Sequence, residues 1–393
     1  TLLLSDKGKI YFNITSRDRK KMDVCRADIN TGEVEVLIEE RMNTYIETRP
    51  LYLIKNETEM IHWSEKDGWA HFYRHDINGN LLNRITSGPF HSDNIKYYDQ
   101  KSNFLFFSAH GVNKEIDPYY EHTYKISLNG GVPKLLNKGD FNTMTYPSDN
   151  HKFFVNNFSR VNTTPKSNLI NSDGSVIMNL ETADLSALFE SGYKFPETFK
   201  AKADDGITDL YGVIYKPFDF DENKKYPLLE YVYPGPQTES VNKSFSVRMD
   251  RLDRMAQLGF IVITLGNRGG HPDRSKWYHN YGYGNLRDYG LADKKYVAQQ
   301  LANRHDFIDI NRVGIYGHSG GGFMSTAAIL VYPDFFKVAY SQAGNHDNSI
   351  YNSWWSETHH GILEETDDDG NIKYIYDIDK NQSLAKNLKG HLY

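Results

Sequence analysis

Four copies of one strand pattern occupy the first half of the chain and limit the folds it can adopt. Each copy holds an apolar strand, a polar loop, a second strand and a tight turn rich in Asn, Asp and Gly. The turns fall near residues 30, 78, 129 and 173, at intervals of about 44–51 residues. The strands that open the copies are Lys9–Ile14, Glu59–Trp63, Phe104–Phe107 and Lys152–Val155. Such turns indicate antiparallel hairpins, because Asn, Asp and Gly tolerate a positive φ angle.

A repeat of this length predicts a β-propeller in which each copy forms one blade. We therefore expect residues 1–194 to form a partial propeller of about four blades, the rest of a ring of roughly seven or eight blades lying upstream. The alternative is an irregular β-sandwich with coincidental spacing. The aromatic content of 14 % favours β-rich structure with large contacts between sheets.

The pattern changes near residue 195 to strands that alternate with helices. The predicted strands are Tyr226–Tyr233, Phe260–Thr264, Val313–Tyr316 and Val338–Ser341, and the predicted helices are Val247–Leu258, Leu291–Leu301 and Phe323–Val331. Nearly continuous apolar strands of this kind belong to a parallel sheet that helices cover on both faces. Residues 195–393 are therefore predicted to form an α/β domain with a mostly parallel sheet.

One strand-to-helix turn in this half carries a candidate nucleophile. The sequence Gly317-His318-Ser319-Gly320-Gly321 matches G-x-S-x-G, follows a predicted buried strand directly and opens a helix. This is the nucleophile elbow of an α/β-hydrolase, in which Gly317 and Gly321 leave room for a tight turn. The alternative is a glycine-rich turn used for packing or phosphate binding, but it has neither the lysine of a P-loop nor dinucleotide-binding spacing. We therefore interpret residues 195–393 as an α/β-hydrolase catalytic domain.

Charge and cysteine content exclude several classes of function. Lys and Arg number 45 against 51 Asp and Glu, which gives a net charge of −6. A binder of nucleic acid or of an anionic membrane needs a positive face, and this balance offers none. The single Cys25 leaves no cysteine pair for a metal, and the acidic turn Asp367–Asp369 lacks the spacing of a calcium loop. We predict no metal, no cofactor and no nucleic-acid partner.

Four further segments, together with the elbow, carry a family resemblance over nearly the whole chain. These segments are Trp63–Trp69 with His71–Tyr73, Tyr226–Pro236, Asn267–Gly270 and Tyr351–Gly361. In this order they resemble motifs of the prolyl oligopeptidase family of serine peptidases, especially its dipeptidyl peptidase IV branch. That family joins an N-terminal β-propeller to a C-terminal α/β-hydrolase domain, so the resemblance implies the same two-part fold here.

The resemblance implies a role for each matching residue. Ser319 would be the acylating nucleophile, and the Tyr233 hydroxyl and the Gly320 N–H would donate to the oxyanion. Tyr351 and Trp355, four residues apart on a predicted helix, would form aromatic walls for a proline or alanine side chain, with core packing as the alternative. Gly320 stands where the dipeptidyl peptidase branch often has Tyr, which removes one wall of that pocket.

The resemblance also predicts which catalytic parts this segment lacks. In this fold the triad follows the order Ser, Asp, His. The family's Asp and His would both fall after Tyr393, so we expect the 393 residues to show little or no hydrolytic turnover. His346 and Asp347 follow the first strand after the elbow, but we interpret them as loop or cap residues.

We expect a serine-type peptidase that hydrolyses short peptides, with a Pro or Ala preference, through an acyl-enzyme on Ser319. The alternatives are an esterase or acylaminoacyl hydrolase on the same fold, and a non-catalytic binding protein that uses its propeller. The paired glutamates that anchor the substrate amine in the family have one candidate match, Glu39–Glu40, which we interpret as a solvated strand edge. The resemblance further implies peptide substrates, homodimers among full-length relatives, and a periplasmic or exported location.

Overall fold

The computed structural model describes residues 2–246 and 251–393, and these residues form two compact units. The first unit comprises Thr1–Phe158, Lys166–Glu181 and Asp273–Trp277, and the second comprises Ser159–Pro165, Thr182–Pro272 and Tyr278–Tyr393. Each unit has hydrophobic clusters of its own. The domain division between residues 194 and 195 stays a prediction.

The described part of the first unit contains four sheets of four strands each, and the strands of each sheet follow one another in chain order. The first two sheets are β1 (Leu2–Leu4), β2 (Lys9–Thr15), β3 (Lys21–Asp28), β4 (Val34–Arg41) and β5 (Tyr52–Ile54), β6 (Glu59–Ser64), β7 (His71–Asp76), β8 (Leu81–Arg84). The next two are β9 (His91–Asp99), β10 (Phe104–His110), β11 (Glu121–Ser127), β12 (Lys134–Leu135) and β13 (Asn142–Pro147), β14 (Phe153–Ser159), β15 (Lys166–Asn171), β16 (Val176–Thr182). Neighbouring strands such as β2 and β3 pair antiparallel, as blades require.

The glycines of the repeated turns pack against the preceding blade. A Cβ atom on Gly79 would lie 2.0 Å from the carbonyl oxygen of Leu37, and one on Gly174 would lie 2.5 Å from that of Leu136. Both glycines also have a positive φ angle, 89° and 84°. The glycines of the other two turns, Gly32 and Gly130, also have positive φ angles, 75° and 91°, so the backbone conformation explains why glycine recurs at each repeat.

Apolar side chains fill the space between consecutive sheets. The Phe72 ring of the second sheet meets the Phe107 ring of the third edge to face, with 5.7 Å between the ring centroids. Phe106 of the third sheet stacks on Phe154 of the fourth at 5.7 Å. Sheets that pack one on the next in chain order are blades of a propeller, so this part of the predicted fold class is confirmed.

The second unit is built on one mixed sheet of seven strands. In spatial order these strands are β17 (Glu197–Lys202), β18 (Asp209–Tyr215), β20 (Ile261–Leu265), β19 (Tyr226–Val232), β21 (Ile308–His318), β22 (Phe336–Gln342) and β25 (His391–Leu392). The four pairings from β20 to β25 are parallel, and the two pairings at the β17 end are antiparallel. The predicted α/β domain with a mostly parallel sheet is therefore confirmed.

Helices and a hairpin complete the described elements. The helices are α1 (Ser186–Glu190), α2 (Arg251–Ala256), α3 (Lys276–His279), α4 (Leu291–Arg304), α5 (Gly320–Val331) and α6 (Ser353–His360), with 3-10 turns at Asn280–Gly282 and Asn381–Asn387. The hairpin pairs β23 (Leu363–Thr366) with β24 (Ile372–Ile375). α5 is buried from Gly321 to Leu330 and forms the centre of the unit's core. Among the described helices, none is long and apolar enough to cross a membrane.

The predicted helix Val247–Leu258 lies partly outside the described residues, which show α2 over its later part. The interpretation of Glu39–Glu40 as a solvated edge is wrong for Glu40, which is 5 % exposed and accepts a hydrogen bond of 3.0 Å from His62 Nε2. Successive side chains of a strand point to opposite faces, so Glu40 turns inward while its neighbour stays exposed.

Candidate active site at a strand-to-helix turn

Ser319 occupies the sharp turn between β21 and α5. Its φ and ψ angles are 55° and −118°, a backbone conformation that residues other than Gly rarely adopt. The Ser319 N–H donates to the carbonyl oxygen of Gln342 at 2.8 Å, and the Ser319 carbonyl accepts from the Phe323 N–H at 2.9 Å. Strained backbone held by flanking hydrogen bonds is the geometry expected of a nucleophile elbow.

The glycines around Ser319 are required by close backbone contacts. A Cβ atom on Gly317 would lie 2.4 Å from the Val232 carbonyl oxygen, and one on Gly321 would lie 2.1 Å from the same atom. Both contacts are with backbone of β19, which cannot swing aside as a flexible side chain can. Gly320 differs, because its nearest neighbour at that position is Pro234 Cδ at 3.9 Å. Steric exclusion thus explains why Gly317 and Gly321 are glycines, whereas a side chain would fit at Gly320.

We expect Gly321→Ala to destabilise the protein by about 3 kcal/mol or more, since overpacking against fixed backbone costs this much. The matched control is Gly320→Ala, whose methyl group makes only an ordinary contact with Pro234 Cδ at 3.9 Å and gains up to about 1 kcal/mol of helix propensity. Thermal unfolding of both variants measures the difference. Equal shifts in Tm would contradict the steric argument.

Tyr233 and Gly320 lie at the same edge of the sheet as Ser319. β19 and β21 are parallel neighbours, with Val232 opposite Gly317, so Tyr233 follows its strand where Ser319 follows the adjacent strand. Pro234 Cδ lies next to the Gly320 backbone, which brings the loop after Tyr233 beside the first turn of α5. The carboxyl edge of parallel strands is where ligands bind in sheets of this kind.

Three buried side chains fix the loop that follows Tyr233. The Tyr289 hydroxyl donates to the Pro234 carbonyl at 2.7 Å, and the Asn267 amide donates to the same oxygen at 3.3 Å. His279 Nε2 donates to the Pro236 carbonyl at 2.7 Å. Burial raises the pKa of Tyr289, which keeps its hydroxyl protonated as a donor. Sequence reasoning missed Tyr289 and His279, because their positions along the chain give no signal for this contact.

Two buried ion pairs join α4 to the sheet and to the turn after β20. Asp293 is fully buried and accepts from Arg268 Nη2 at 2.7 Å and from the Arg268 backbone N–H at 2.9 Å. Glu230 of β19 lies 4.0 Å from Lys294 Nζ, and both side chains are buried. Burial raises the pKa of Glu230 to about 7, although the charge of Lys294 opposes the shift. These charges hold the strand before Tyr233 in place.

The predicted pocket residues Tyr351 and Trp355 touch, but they do not share a helix. α6 begins at Ser353, and the Asn352 side chain caps it by accepting from the Trp355 N–H. Tyr351 therefore precedes the helix, and the prediction that the pair shares a helix face is wrong. The two rings still meet edge to face at 5.7 Å. The Asn352 cap starts the helix at this point, because its side chain accepts from a backbone N–H that has no partner within the helix.

α6 also contacts the loop after Tyr233. The Gln237 side-chain amide donates to His359 Nε2 at 3.1 Å, and the Trp355 ring lies 5.1 Å from the His359 ring. Burial lowers the pKa of the neighbouring His360 to about 4, so this ring is neutral at pH 7. The structure thus links the predicted pocket helix to the segment that carries Tyr233.

His346 and Asp347 have partners of their own. The Asn381 amide donates to His346 Nδ1 at 3.1 Å, and Asp347 pairs with Lys380 Nζ at 2.9 Å. Within residues 2–246 and 251–393, no histidine hydrogen-bonds to the Ser319 hydroxyl. The catalytic roles of Ser319, Tyr233 and Gly320 and the pocket role of Tyr351 and Trp355 stay predictions.

A mostly parallel sheet with a serine at a strand-to-helix turn is the architecture of an α/β-hydrolase, and here it shares one chain with propeller blades. Comparison with known families gives two matches, the Dipeptidyl peptidase IV (DPP IV) N-terminal region over residues 3–165 and the Prolyl oligopeptidase family over residues 245–390. The chain belongs to the prolyl oligopeptidase family, in the branch of dipeptidyl peptidase IV.

Similar curated proteins are dipeptidyl peptidases. Dipeptidyl peptidase 8 of Homo sapiens is 36 % identical over 176 residues, which are 44 % of this chain and 19 % of that protein. Dipeptidyl peptidase 4 of Trichophyton equinum is 24 % identical over 350 residues, 84 % of this chain and 42 % of that protein. The chain therefore spans less than half the length of these relatives.

Two solved structures share the fold over the whole chain. A putative dipeptidyl aminopeptidase IV from Bacteroides ovatus ATCC 8483 matches with a TM-score of 0.86 at 25 % identity, covering 100 % of this chain and 57 % of that one. Porphyromonas gingivalis dipeptidyl peptidase 4 matches with a TM-score of 0.85 at 23 % identity, covering 100 % and 54 %. At 23 % identity, the match to the Porphyromonas gingivalis structure shows only that the fold is shared.

Proposed function

We propose that this chain carries the nucleophile, the oxyanion donors and the pocket helix of a serine peptidase that removes dipeptides from short peptides. The observation that carries the proposal is the strained Ser319 at the turn between β21 and α5, in a member of the prolyl oligopeptidase family. The relatives that support the substrate class are dipeptidyl peptidases by name.

In the proposed reaction, Ser319 Oγ attacks the carbonyl carbon of the scissile peptide bond. The Gly320 N–H and the Tyr233 hydroxyl donate to the oxygen that becomes negative in the tetrahedral intermediate. The C–N bond then breaks, the amine leaves with a proton, and water hydrolyses the ester on Ser319. The fixed loop at Pro234 supports this assignment, because an oxyanion donor must be held in place before the reaction.

The Ser319 proton needs a base, and we propose that this base is a histidine oriented by an aspartate, both C-terminal to this chain. The support is that no described histidine hydrogen-bonds to Ser319, and that His346 is held by Asn381 instead. Little turnover is therefore expected from the 393 residues. A polypeptide that extends beyond these 393 residues to include the proposed histidine and aspartate is called the longer polypeptide below. We propose on family resemblance that it forms homodimers.

The pocket is proposed to accept a small or cyclic side chain between Tyr351 and Trp355. The edge-to-face contact of their rings and the link from His359 to Gln237 support a shaped aromatic surface near the loop of Tyr233. Gly320 adds no wall there, since it has no side chain. A relaxed preference that accepts alanine as well as proline follows from this.

The proposal is tested with chromogenic substrates. We expect the longer polypeptide to hydrolyse Gly-Pro and Ala-Pro p-nitroanilides, and the 393 residues alone to hydrolyse them hardly at all. Hydrolysis of p-nitrophenyl esters without amide turnover would contradict peptidase function and indicate an esterase. A normal rate of p-nitroanilide hydrolysis by the 393 residues would show that the catalytic base lies within them, which contradicts the proposed location.

A further inference from the structure

Three metal-ligating side chains from three neighbouring strands meet at one end of the third blade. Asp93, His110 and Glu121 each offer a ligand atom, and these atoms all lie within 4.8 Å of one another. The cluster is largely out of solvent, with side-chain exposures of 13 % for Asp93, 8 % for His110 and 24 % for Glu121. Ligand atoms on one metal with bonds of about 2.0–2.2 Å lie about 3–4 Å apart, so small side-chain movements would bring these three atoms onto a single ion.

Strand pairing explains why residues 28 positions apart in sequence converge. His110 ends β10 and lies directly opposite Glu121 of β11 and His91 of β9. Side chains that face each other across an antiparallel pair share one face of the sheet. The register of β9 against β10 shifts between Phe107 and Ala109, beside Asp93. An irregularity of this kind re-aims side chains on the bulged strand.

The His110 ring is oriented as it is in metal sites. His110 Nδ1 lies 3.2 Å from the carbonyl oxygen of Tyr119, and because a carbonyl accepts, the neutral ring carries its proton on Nδ1. The lone pair is then on Nε2. A ligating histidine usually donates its other N–H to a carbonyl or carboxylate in this way, which fixes the tautomer.

A further carboxylate lies beside the cluster within the same unit. Asp273 Oδ2 is 3.6 Å from His110 Nε2. Two cations partly balance the acids, since Arg49 Nη2 lies 3.2 Å from Asp93 Oδ1 and Lys96 Nζ lies 3.0 Å from Glu121 Oε1. Crowded carboxylates repel one another in a site of low polarity, and a divalent cation relieves both the repulsion and the cost of burial.

We propose that Asp93, His110 and Glu121 bind a divalent first-row transition-metal cation of the Zn²⁺ or Mn²⁺ class. One imidazole nitrogen with carboxylate oxygens, and no thiolate, suits these ions rather than softer ones. Asp273 beside His110 serves as a further oxygen ligand or as an outer partner of the ring. Such an ion would tie β9, β10 and β11 together at their ends and stabilise the blade. This site does not depend on the proposed peptidase activity.

The proposal is tested by Zn²⁺ binding to the intact protein after treatment with EDTA. We expect one Zn²⁺ per chain at this site and a rise in Tm that EDTA reverses, since a ligand that binds only the folded state stabilises it. His110→Gln and Glu121→Gln should each weaken binding by more than the 10- to 100-fold that loss of an outer partner causes. His305→Gln, in the second unit, should leave binding unchanged.

Each outcome decides the proposal. Zn²⁺ that binds wild type and both variants with equal affinity, or no binding by wild type, would overturn it. The Tm values in EDTA show whether His110→Gln still folds. If it does not, the more exposed Glu121→Gln decides alone, because Gln keeps the size of the side chain and removes its charge.

Discussion

Replacing Ser319 by alanine is expected to abolish labelling of the longer polypeptide by a fluorophosphonate probe. The probe reacts with an activated serine, and the strained turn presents this hydroxyl at the carboxyl edge of the sheet. Loss of the nucleophile lowers kcat by about 10⁶-fold in a well-studied serine protease, so peptide hydrolysis should fall to background. Gel fluorescence after labelling measures the first effect, and p-nitroanilide release measures the second.

Ser325→Ala is the matched control for this experiment. Ser325 lies on α5, the helix that follows Ser319, and is buried. Its hydroxyl donates to the Gly322 carbonyl at 3.1 Å, so the substitution removes a hydroxyl but leaves the turn at Ser319 unchanged. Labelling should persist in this variant. Equal labelling of wild type and Ser319→Ala would show that another residue reacts.

Tyr233→Phe is expected to lower kcat of the longer polypeptide by about 10²–10³-fold, the usual effect of removing one oxyanion donor. The ring remains, so packing of the loop at Pro234 is kept. KM should change little, because the donated hydrogen bond strengthens only as negative charge develops on the substrate oxygen. Steady-state kinetics with an Ala-Pro amide measures both constants.

The control for Tyr233→Phe is Tyr231→Phe, two residues earlier on β19. The Tyr231 ring packs against the Tyr316 ring, with 5.1 Å between the ring centroids. Both residues lie within paired strands, before the carboxyl edge of the sheet. We expect kcat of this variant to stay near that of wild type. An unchanged kcat for Tyr233→Phe would remove Tyr233 from the catalytic machinery.

Parts of the molecule that depend on local sequence were predictable. The blades follow from turns whose glycines need a positive φ angle, as Gly79 and Gly174 show. The elbow follows from Gly317 and Gly321, whose close contacts with Val232 permit no side chain. In both cases a short stretch of residues determines the backbone, so the pattern in sequence carries the structure.

Features that depend on distant pairing were not predictable. Glu40 faces inward and meets His62 of the next sheet, and its own strand gives no sign of that partner. The cluster of Asp93, His110 and Glu121 requires the register of two strand pairs and the irregularity in one of them. The support of the loop after Tyr233 by Tyr289 likewise joins residues 55 positions apart in sequence.

The pair of Glu230 and Lys294 constrains how this sequence can vary among its homologues. Loss of one partner alone would leave the other ionisable group buried without its partner, at a cost of up to about 3–5 kcal/mol. Replacement of both by apolar residues of similar volume can be neutral. The two positions, one on the strand before Tyr233 and one on α4, should therefore change together. Their covariation would record a contact between residues that are 64 positions apart along the chain.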